Sequence, residues 1–253
     1  MTDNELAGVG VLVTRPKHQA TELVAAIEAN GGSAIQLPVL EIVPRNQDAV
    51  IKDADTLRDP DIAIFVSSNA ARYGLHYADA ARIAVVGPAT AAAVEAAGRN
   101  VDIRSIAGFD SEHLLATPEL LDVAEKVVRI IRGVDGRELL ADTLRERGAR
   151  VEYLAVYERL VPQYPQSEVD ALVQQWRSGA INIVTIMSVE SLRNFISILP
   201  EGCEAELENT PLVTPATRVI KEALNRYPGI PTTLARGTQA SDMVKAIIRC
   251  KRP

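Results

Sequence analysis

Several loops of this chain contain residue types that bind anions, and each of these loops lies between an apolar run and a helical pattern. They comprise residues 14–16, 67–69, 87–90, 132–136, 188 and 215–217. A helix that begins in such a loop has free backbone N–H groups, which stabilise a carboxylate or a phosphate together with the helix dipole. Serine, threonine and proline are also ordinary helix caps, so one loop alone does not establish a site. Several such loops at one edge of a sheet favour a ligand with many anionic groups.

Metal, nucleotide and nucleophilic chemistry find little support in the sequence. Cys203 and Cys250 lie far apart without C-x-x-C spacing, and the three histidines show no metal-binding pattern. The loop 133–136 lacks the lysine of a P-loop, and G-x-S-x-G is absent. We therefore predict an activity that needs no metal and no other cofactor.

The charge balance argues against a nucleic-acid partner. The 253 residues include 27 Lys and Arg against 33 Asp and Glu, which gives a net charge of −6, whereas phosphate backbones are bound by basic surfaces. Arg15, Arg72, Arg132, Arg218 and Lys221 lie at or near the loops, where they could make one region locally positive or simply be solvated surface charge. No apolar run is long enough to span a membrane, and the first residues lack the pattern of a secretory signal. These features predict a cytoplasmic protein that binds neither nucleic acid nor a membrane.

Short apolar runs alternate with helical patterns along the chain, which is typical of an α/β fold with parallel strands covered on both faces. The predicted strands are 9–14, 62–66, 83–86, 127–131, 183–187 and 212–214. The predicted helices are 19–30, 69–77, 88–97, 137–147, 189–199 and 215–226.

An internal repeat predicts two similar lobes, each a parallel sheet flanked by helices. Four pairs of segments match in the same order, and this period of about half the chain differs from the short period of a solenoid. The pairs are 10–44 with 127–162, 61–71 with 181–191, 82–98 with 211–226, and 108–115 with 237–244. A cleft between two lobes is a common place for a ligand.

Two extended, proline-terminated segments, 37–44 and 153–163, could pair as a two-stranded connector between the lobes. In that case lobe 1 is discontinuous, comprising 1–38 and 164–253, and lobe 2 comprises 45–153. Two sequential lobes divided near residue 125 are the alternative that periodicity leaves open.

The chain resembles the uroporphyrinogen-III synthase family in a series of short motifs that cover nearly its whole length. These are VLVTRP at 11–16, IFVSSNAA at 64–71, AVVGPATAAAVEAAG at 84–98, the segment 130–159, and PATRVIKEAL at 215–224. The resemblance implies the discontinuous lobe with its paired-strand connector. It also implies a cofactor-free lyase that cyclises hydroxymethylbilane to uroporphyrinogen III in heme, siroheme and cobalamin biosynthesis. The implied chemistry is loss of water, inversion of ring D through a spiro intermediate, and ring closure.

The resemblance assigns site residues motif by motif. Tyr157 is the implied catalytic residue, although a packed aromatic side chain is an equally good interpretation of it from the sequence alone. The implied substrate-binding residues are Arg15, Ser68, Asn69, Thr90, Arg132, Gly133, Ser188 and Thr217. The chain departs from the family pattern at Thr214, where the family often has the glycine that permits close backbone approach.

The implied partners are the substrate hydroxymethylbilane and, in transient contact, hydroxymethylbilane synthase, with the protein itself acting as a monomer. A function from another class is a two-lobed small-anion binding or sensor module without turnover. Such a module would keep the helix N-termini but would have no need of Tyr157.

Overall fold

The computed structural model describes residues 4–251. Its strands are β1 (Gly10–Val13), β2 (Ser33–Gln36), β3 (Glu41–Pro44), β4 (Ile62–Phe65), β5 (Arg82–Val85), β6 (Ile103–Arg104), β7 (Val127–Gly133), β8 (Arg150–Leu160), β9 (Ile183–Thr185), β10 (Leu212–Thr214) and β11 (Thr232–Leu234). Its helices are α1 (Lys17–Ala29), α2 (Gln47–Asp55), α3 (Ser68–Gly74), α4 (Pro88–Ala96), α5 (Ser111–Leu115), α6 (Pro118–Leu121), α7 (Leu139–Glu146), α8 (Gln166–Arg177), α9 (Val189–Ile198), α10 (Glu204–Asn209), α11 (Thr217–Arg226) and α12 (Ala240–Lys251).

The described chain divides into two compact units. Unit 1 comprises residues 4–41 and 160–251, and unit 2 comprises residues 42–159. Unit 1 contains a five-stranded sheet in the order β11-β10-β9-β1-β2, and unit 2 contains most of a six-stranded sheet in the order β3-β8-β7-β4-β5-β6. Pairing is parallel from β2 to β11 in the first sheet and from β8 to β6 in the second. The predicted α/β fold with parallel sheets and flanking helices is therefore confirmed.

Alternation along the strands explains why helices cover both faces of each sheet. Successive side chains of a strand point to opposite faces. In unit 1, Val11 and Val13 pack with residues of α1 and α12, whereas Leu12 packs with residues of α8 and α9. In unit 2, Phe65 packs into one apolar cluster and Ile64 into the other. Because all of these side chains are buried, an apolar run without alternation is the expected sequence of such a strand.

The predicted elements form where expected, with ends that differ from the prediction by up to three residues. The predicted helix 69–77 begins one residue earlier as α3, because the Ser67 side chain accepts a hydrogen bond from the Ala70 N–H and caps it. A 3-10 turn, Leu75–Ala78, completes that segment. The predicted strand 183–187 ends at Thr185, and the segment 37–44 is a strand only over β3. No helix among residues 4–251 is long and apolar enough to cross a bilayer.

A buried arginine links three segments of unit 2. Arg129, on β7, is 5% exposed, and its guanidinium donates to the carbonyl of Tyr77 at 3.0 Å and to that of Arg58 at 2.7 Å. These bonds attach the loop before β4 and the turn after α3 to the sheet. Burial lowers the pKa of Arg129 more than the nearby Glu152 and Asp59 raise it.

We expect Arg129→Met to destabilise unit 2 by about 2 kcal/mol, because methionine keeps the aliphatic stem and leaves two carbonyls without their charged donor. Urea unfolding measures the change. The matched control is Arg104→Met on β6 of the same sheet, where the side chain is exposed and its ion pair with Glu95 is long at 3.7 Å. This second change should cost less than about 0.5 kcal/mol. Equal losses would show that the carbonyl bonds do not support the fold.

Candidate functional site

A cavity of about 380 Å³ opens in unit 2 where β4, β5 and β7 end. Its lining residues are Val66, Ser67, Val86, Asp110, Ser111, Ile130, Arg132, Asp135, Gly136, Arg137, Leu140, Tyr157 and Arg159. The carboxyl ends of parallel strands are the usual place for ligands in α/β proteins. Three arginines and two aspartates line this cavity, so its wall offers several charged donors to an anion.

Tyr157 reaches this cavity because of an irregularity in the pairing of β7 with β8. Arg132 pairs with Ala155, but the next residue, Gly133, pairs with Tyr157. Two residues of β8 therefore follow one residue of β7, and the normal alternation of side chains is broken. Val156 and Tyr157 consequently pack into the same apolar cluster although they are neighbours in the strand.

The Tyr157 side chain is 2% exposed, and its hydroxyl lies 3.1 Å from Oγ of Ser67. Its ring packs against the backbone of Gly133, where a Cβ would lie 2.8 Å from Cε2 and 2.9 Å from Cζ of the ring. The Val134 N–H also donates to the Tyr157 carbonyl at 3.0 Å. Serine, glycine and tyrosine thus fix one another, and the phenol oxygen is held at the wall of the cavity.

Ser67 rather than Ser68 is the serine that caps α3 and contacts Tyr157. Ser68 and Asn69 lie in the first turn of α3 and are half-buried. The repeat 61–71 with 181–191 aligns Ser68 with Ser188, but Ser188 caps α9 just as Ser67 caps α3. Two residues lie between the end of β9 and Ser188, whereas one residue lies between the end of β4 and Ser67. The serine that is structurally equivalent to Ser188 is therefore Ser67, one position before the residue that the sequence alignment selects. Two adjacent serines in the sequence gave no signal to choose between them.

Arg132 lies in a network that the sequence analysis did not single out. The Arg132 guanidinium donates to Glu138 at 3.0 Å and lies over the Tyr153 ring at 4.8 Å. The Tyr153 hydroxyl donates to the other oxygen of the Glu138 carboxylate. The pKa of Glu138 is lowered, first by the bond from Tyr153 and then by the bond from Arg132. Neither Glu138 nor Tyr153 carries a recognisable motif, and only the fold brings them together.

Thr90 lies in the first turn of α4, which begins after Gly87 with Pro88 as its first residue. The Thr90 side chain is buried and does not line the cavity described above. The start of α4 also borders a second, more apolar cavity of about 270 Å³. The exposed side chains of Ile106 and Phe109 line this second cavity.

Unit 1 places its predicted site residues after three adjacent strands. Arg15 follows β1 and donates to the Thr238 carbonyl at 3.1 Å, and burial lowers its pKa. Ser188 follows β9 and accepts from the Ser191 N–H at 3.0 Å. Thr217 follows β10 as the first residue of α11 and is exposed.

Thr214 is accommodated by turning its hydroxyl into the loop. The side chain is fully buried, and its oxygen accepts a hydrogen bond from the Ala216 N–H at 3.2 Å. Threonine therefore supports the backbone turn at this position instead of opening it as a glycine would. Within residues 4–251, no three histidine, cysteine, aspartate or glutamate side chains group in a way that could hold a metal ion.

Comparison with known proteins points to one family. The family model described as uroporphyrinogen-III synthase HemD matches residues 21–244. The chain is 30% identical over 202 residues to the uroporphyrinogen-III synthase of Escherichia coli, covering 76% of this chain and 81% of that protein. It is 29% identical over 211 residues to that of Salmonella typhimurium, with the same coverage.

Two solved structures share the fold. Uroporphyrinogen-III synthetase from Helicobacter pylori has a TM-score of 0.66 at 16% identity, covering 96% of this chain and all of that one. A mutant uroporphyrinogen III synthase from Thermus thermophilus has a TM-score of 0.59 at 18% identity, covering 96% of this chain and 98% of that one.

We expect Gly133→Ala to destabilise the protein by about 1–3 kcal/mol, because the added methyl group overlaps the buried Tyr157 ring. The comparison is Gly229→Ala, where a Cβ would meet no atom within 4 Å. This control should change stability by less than about 0.5 kcal/mol. Urea unfolding followed by circular dichroism measures both. If the two variants unfolded alike, Tyr157 would not be fixed against the Gly133 backbone.

Proposed function

The chain belongs to the uroporphyrinogen-III synthase family, the cyclising lyases of tetrapyrrole biosynthesis, and we propose that it converts hydroxymethylbilane to uroporphyrinogen III. The observation that carries this proposal is the Tyr157 hydroxyl, which Ser67 holds at the wall of a cavity lined by arginines. A linear tetrapyrrole with eight carboxylates needs many donors for binding and one donor at the carbon that loses its hydroxyl group.

The role proposed for Tyr157 is hydrogen-bond donation to the departing hydroxyl. The C–O bond of the hydroxymethyl group breaks while its oxygen takes a proton through this hydrogen bond and leaves as water, and the electron pair of its pyrrole ring stabilises the resulting cation. Ring D then attacks that cation through its substituted carbon, and a spiro intermediate forms, fragments and closes in the inverted orientation. The proton on the carbon of ring D that closes the macrocycle is released in this last step and restores the phenol. A phenol can donate to the leaving oxygen without a metal. The rest of the catalysis is positioning of the folded chain.

Substrate binding is proposed for the residues named from the family motifs. Arg132 lines the cavity of unit 2 and offers a guanidinium that suits a carboxylate, whereas Gly133 packs against the Tyr157 ring at the wall of this cavity. The remaining proposed contacts are Ser68, Asn69, Thr90, Arg15, Ser188 and Thr217. Each lies within a few residues of a strand end, where the first turn of the next helix leaves backbone N–H groups unpaired.

We propose further that the two units are the lobes of the enzyme and that 37–44 and 153–163 form the connector between them. The adjacent positions of β3 and β8 in one sheet support this assignment. We also propose a monomer that acts on a small molecule in the cytoplasm, and the apolar clusters that each unit contains by itself agree with the monomer. The substrate would then arrive by transient contact with hydroxymethylbilane synthase.

The decisive experiment supplies the purified protein with hydroxymethylbilane generated enzymatically and separates the type I and type III isomers of the product. We expect the type III isomer to predominate when the protein is present and the type I isomer to predominate when it is absent. Dialysis against a chelator beforehand should leave the rate unchanged, because the proposed chemistry uses no metal. If the protein bound the tetrapyrrole without changing the isomer ratio, it would be an anion-binding module without turnover.

Tyr157→Phe tests the proposed donor. The ring and its packing remain, so we expect the thermal midpoint to stay nearly unchanged while kcat for the type III product falls by at least about tenfold. Tyr73→Phe is the matched control, because the Tyr73 ring lies 6.4 Å from that of Tyr157 but does not line the cavity. This control should retain the wild-type kcat. A Tyr157→Phe enzyme with wild-type kcat would assign Tyr157 to packing alone.

A further inference from the structure

The Arg132 side chain is held in place from three directions. The Glu138 carboxylate accepts from its Nη1, the Tyr153 ring lies beside its guanidinium, and the backbone of Gly136 approaches it closely. A Cβ at Gly136 would lie 2.6 Å from Nη2 and 2.9 Å from Cζ of Arg132. An arginine side chain normally samples many rotamers, so this enclosure removes freedom that a ligand would otherwise have to remove.

Glu138 is itself held by a second residue. The Tyr153 hydroxyl donates to Oε2 of Glu138, while Arg132 donates to Oε1. A carboxylate that accepts from both sides has a fixed plane, and the guanidinium that binds it takes its orientation from that plane. Glu138 uses one nitrogen of Arg132, and a guanidinium has further N–H donors.

The exposure of the two partners indicates that this network does little for stability. The Arg132 side chain is 8% exposed, but the Glu138 side chain is 55% exposed. An ion pair whose carboxylate stays hydrated contributes less to folding than a fully buried pair. A contact that contributes little to the fold yet fixes a buried arginine at a cavity wall is suited to a role in binding.

We propose that Glu138 and Tyr153 are positioning residues that orient Arg132 toward a carboxylate of the tetrapyrrole. This inference rests on the proposed function. Glu138 and Tyr153 act through Arg132, so their effect belongs to substrate binding and leaves the chemical step unchanged.

Three substitutions disturb the network in different ways. Glu138→Gln removes the charge, Tyr153→Phe removes the hydroxyl, and Gly136→Ala places a methyl group against the guanidinium. Each should raise KM for hydroxymethylbilane about five- to tenfold, which is less than the loss of a whole charge-assisted hydrogen bond, because Arg132 remains present and only its orientation is lost. The kcat should stay within about twofold of the wild-type value in all three variants. The urea midpoint should stay within experimental error for Glu138→Gln and Tyr153→Phe, and Gly136→Ala is compared on KM and kcat alone.

The matched control is Asp142→Asn, which weakens an exposed 3.5 Å ion pair with Arg145 on the same helix, α7. This carboxylate does not contact Arg132, so KM should stay at the wild-type value. Asp142→Asn also removes one negative charge near the site. It therefore distinguishes an effect on the orientation of Arg132 from an effect of the changed electrostatic field.

A double-mutant cycle makes the inference specific to Arg132. In an Arg132→Ala background, Glu138→Gln should produce no further rise in KM, because the group it orients is absent. An equal rise in both backgrounds would show that Glu138 acts independently of Arg132 and would overturn the inference. A fall in KM would overturn it as well, since Glu138 would then be a competitor of the substrate carboxylate.

The wild-type isomer ratio is measured first, so that failure of the proposed function is distinguished from failure of the inference about Glu138 and Tyr153. If wild-type protein produces no excess of the type III isomer, the proposed function fails and KM is not the relevant quantity. If it produces the type III isomer and the three variants keep the wild-type KM, the inference about Glu138 and Tyr153 alone is wrong.

Discussion

One extra residue in β8 determines the geometry of the site in unit 2. Opposite the step from Arg132 to Gly133, the pairing on β8 advances from Ala155 to Tyr157. Before this step, Tyr153 and Leu154 pack on opposite sides of the sheet, as alternation requires. After it, Tyr157 joins the side of Leu154, and its hydroxyl meets the serine that caps α3. Regular pairing would place Tyr153 and Tyr157 on one face. Because of the irregularity, Tyr157 lies beside Ser67, whereas Tyr153 lies beside Arg132.

The charges around the cavity are arranged in pairs, although the whole protein carries a net charge of −6. Arg132 is paired with Glu138 at 3.0 Å, and Arg137 lies 3.9 Å from Glu112. A site of this kind does not rely on a strong positive field to attract its ligand. It offers donors of defined direction, and a carboxylate gains from them through hydrogen-bond geometry. An acidic protein can in this way bind an acidic substrate.

The sequence was informative wherever a local pattern determined the structure. Buried parallel strands, helix starts after strands and the order of family motifs are local features, and the α/β fold and the family followed from them. The choice of Ser67 over Ser68 and the partnership of Glu138 with Tyr153 were not predicted. The first depends on a difference of one residue between strand and cap in the two halves of the repeat. The second depends on strand pairing that brings distant positions together, for which a single sequence contains no signal.

The two halves of the repeat also differ at the position of the hydroxyl for which we propose a catalytic role. Each unit has a serine cap after its central strand, and each cap oxygen meets another hydroxyl. Ser188 meets that of Ser191 at 2.9 Å, within its own helix, whereas Ser67 meets that of Tyr157 at 3.1 Å, on another strand and at a cavity wall. When the two segments are aligned on their terminal Val-Pro, Val39 matches Tyr157, and Val39 is fully buried among apolar side chains. In unit 1 the hydroxyl of the cap residue Ser188 therefore bonds within its own helix, and the position that matches Tyr157 has only an apolar side chain. Both halves of the repeat thus contain helix N-termini after their strands, but only unit 2 has a phenol beside its serine cap. This difference agrees with the proposal that unit 1 contributes to binding and that unit 2 contributes to both binding and chemistry.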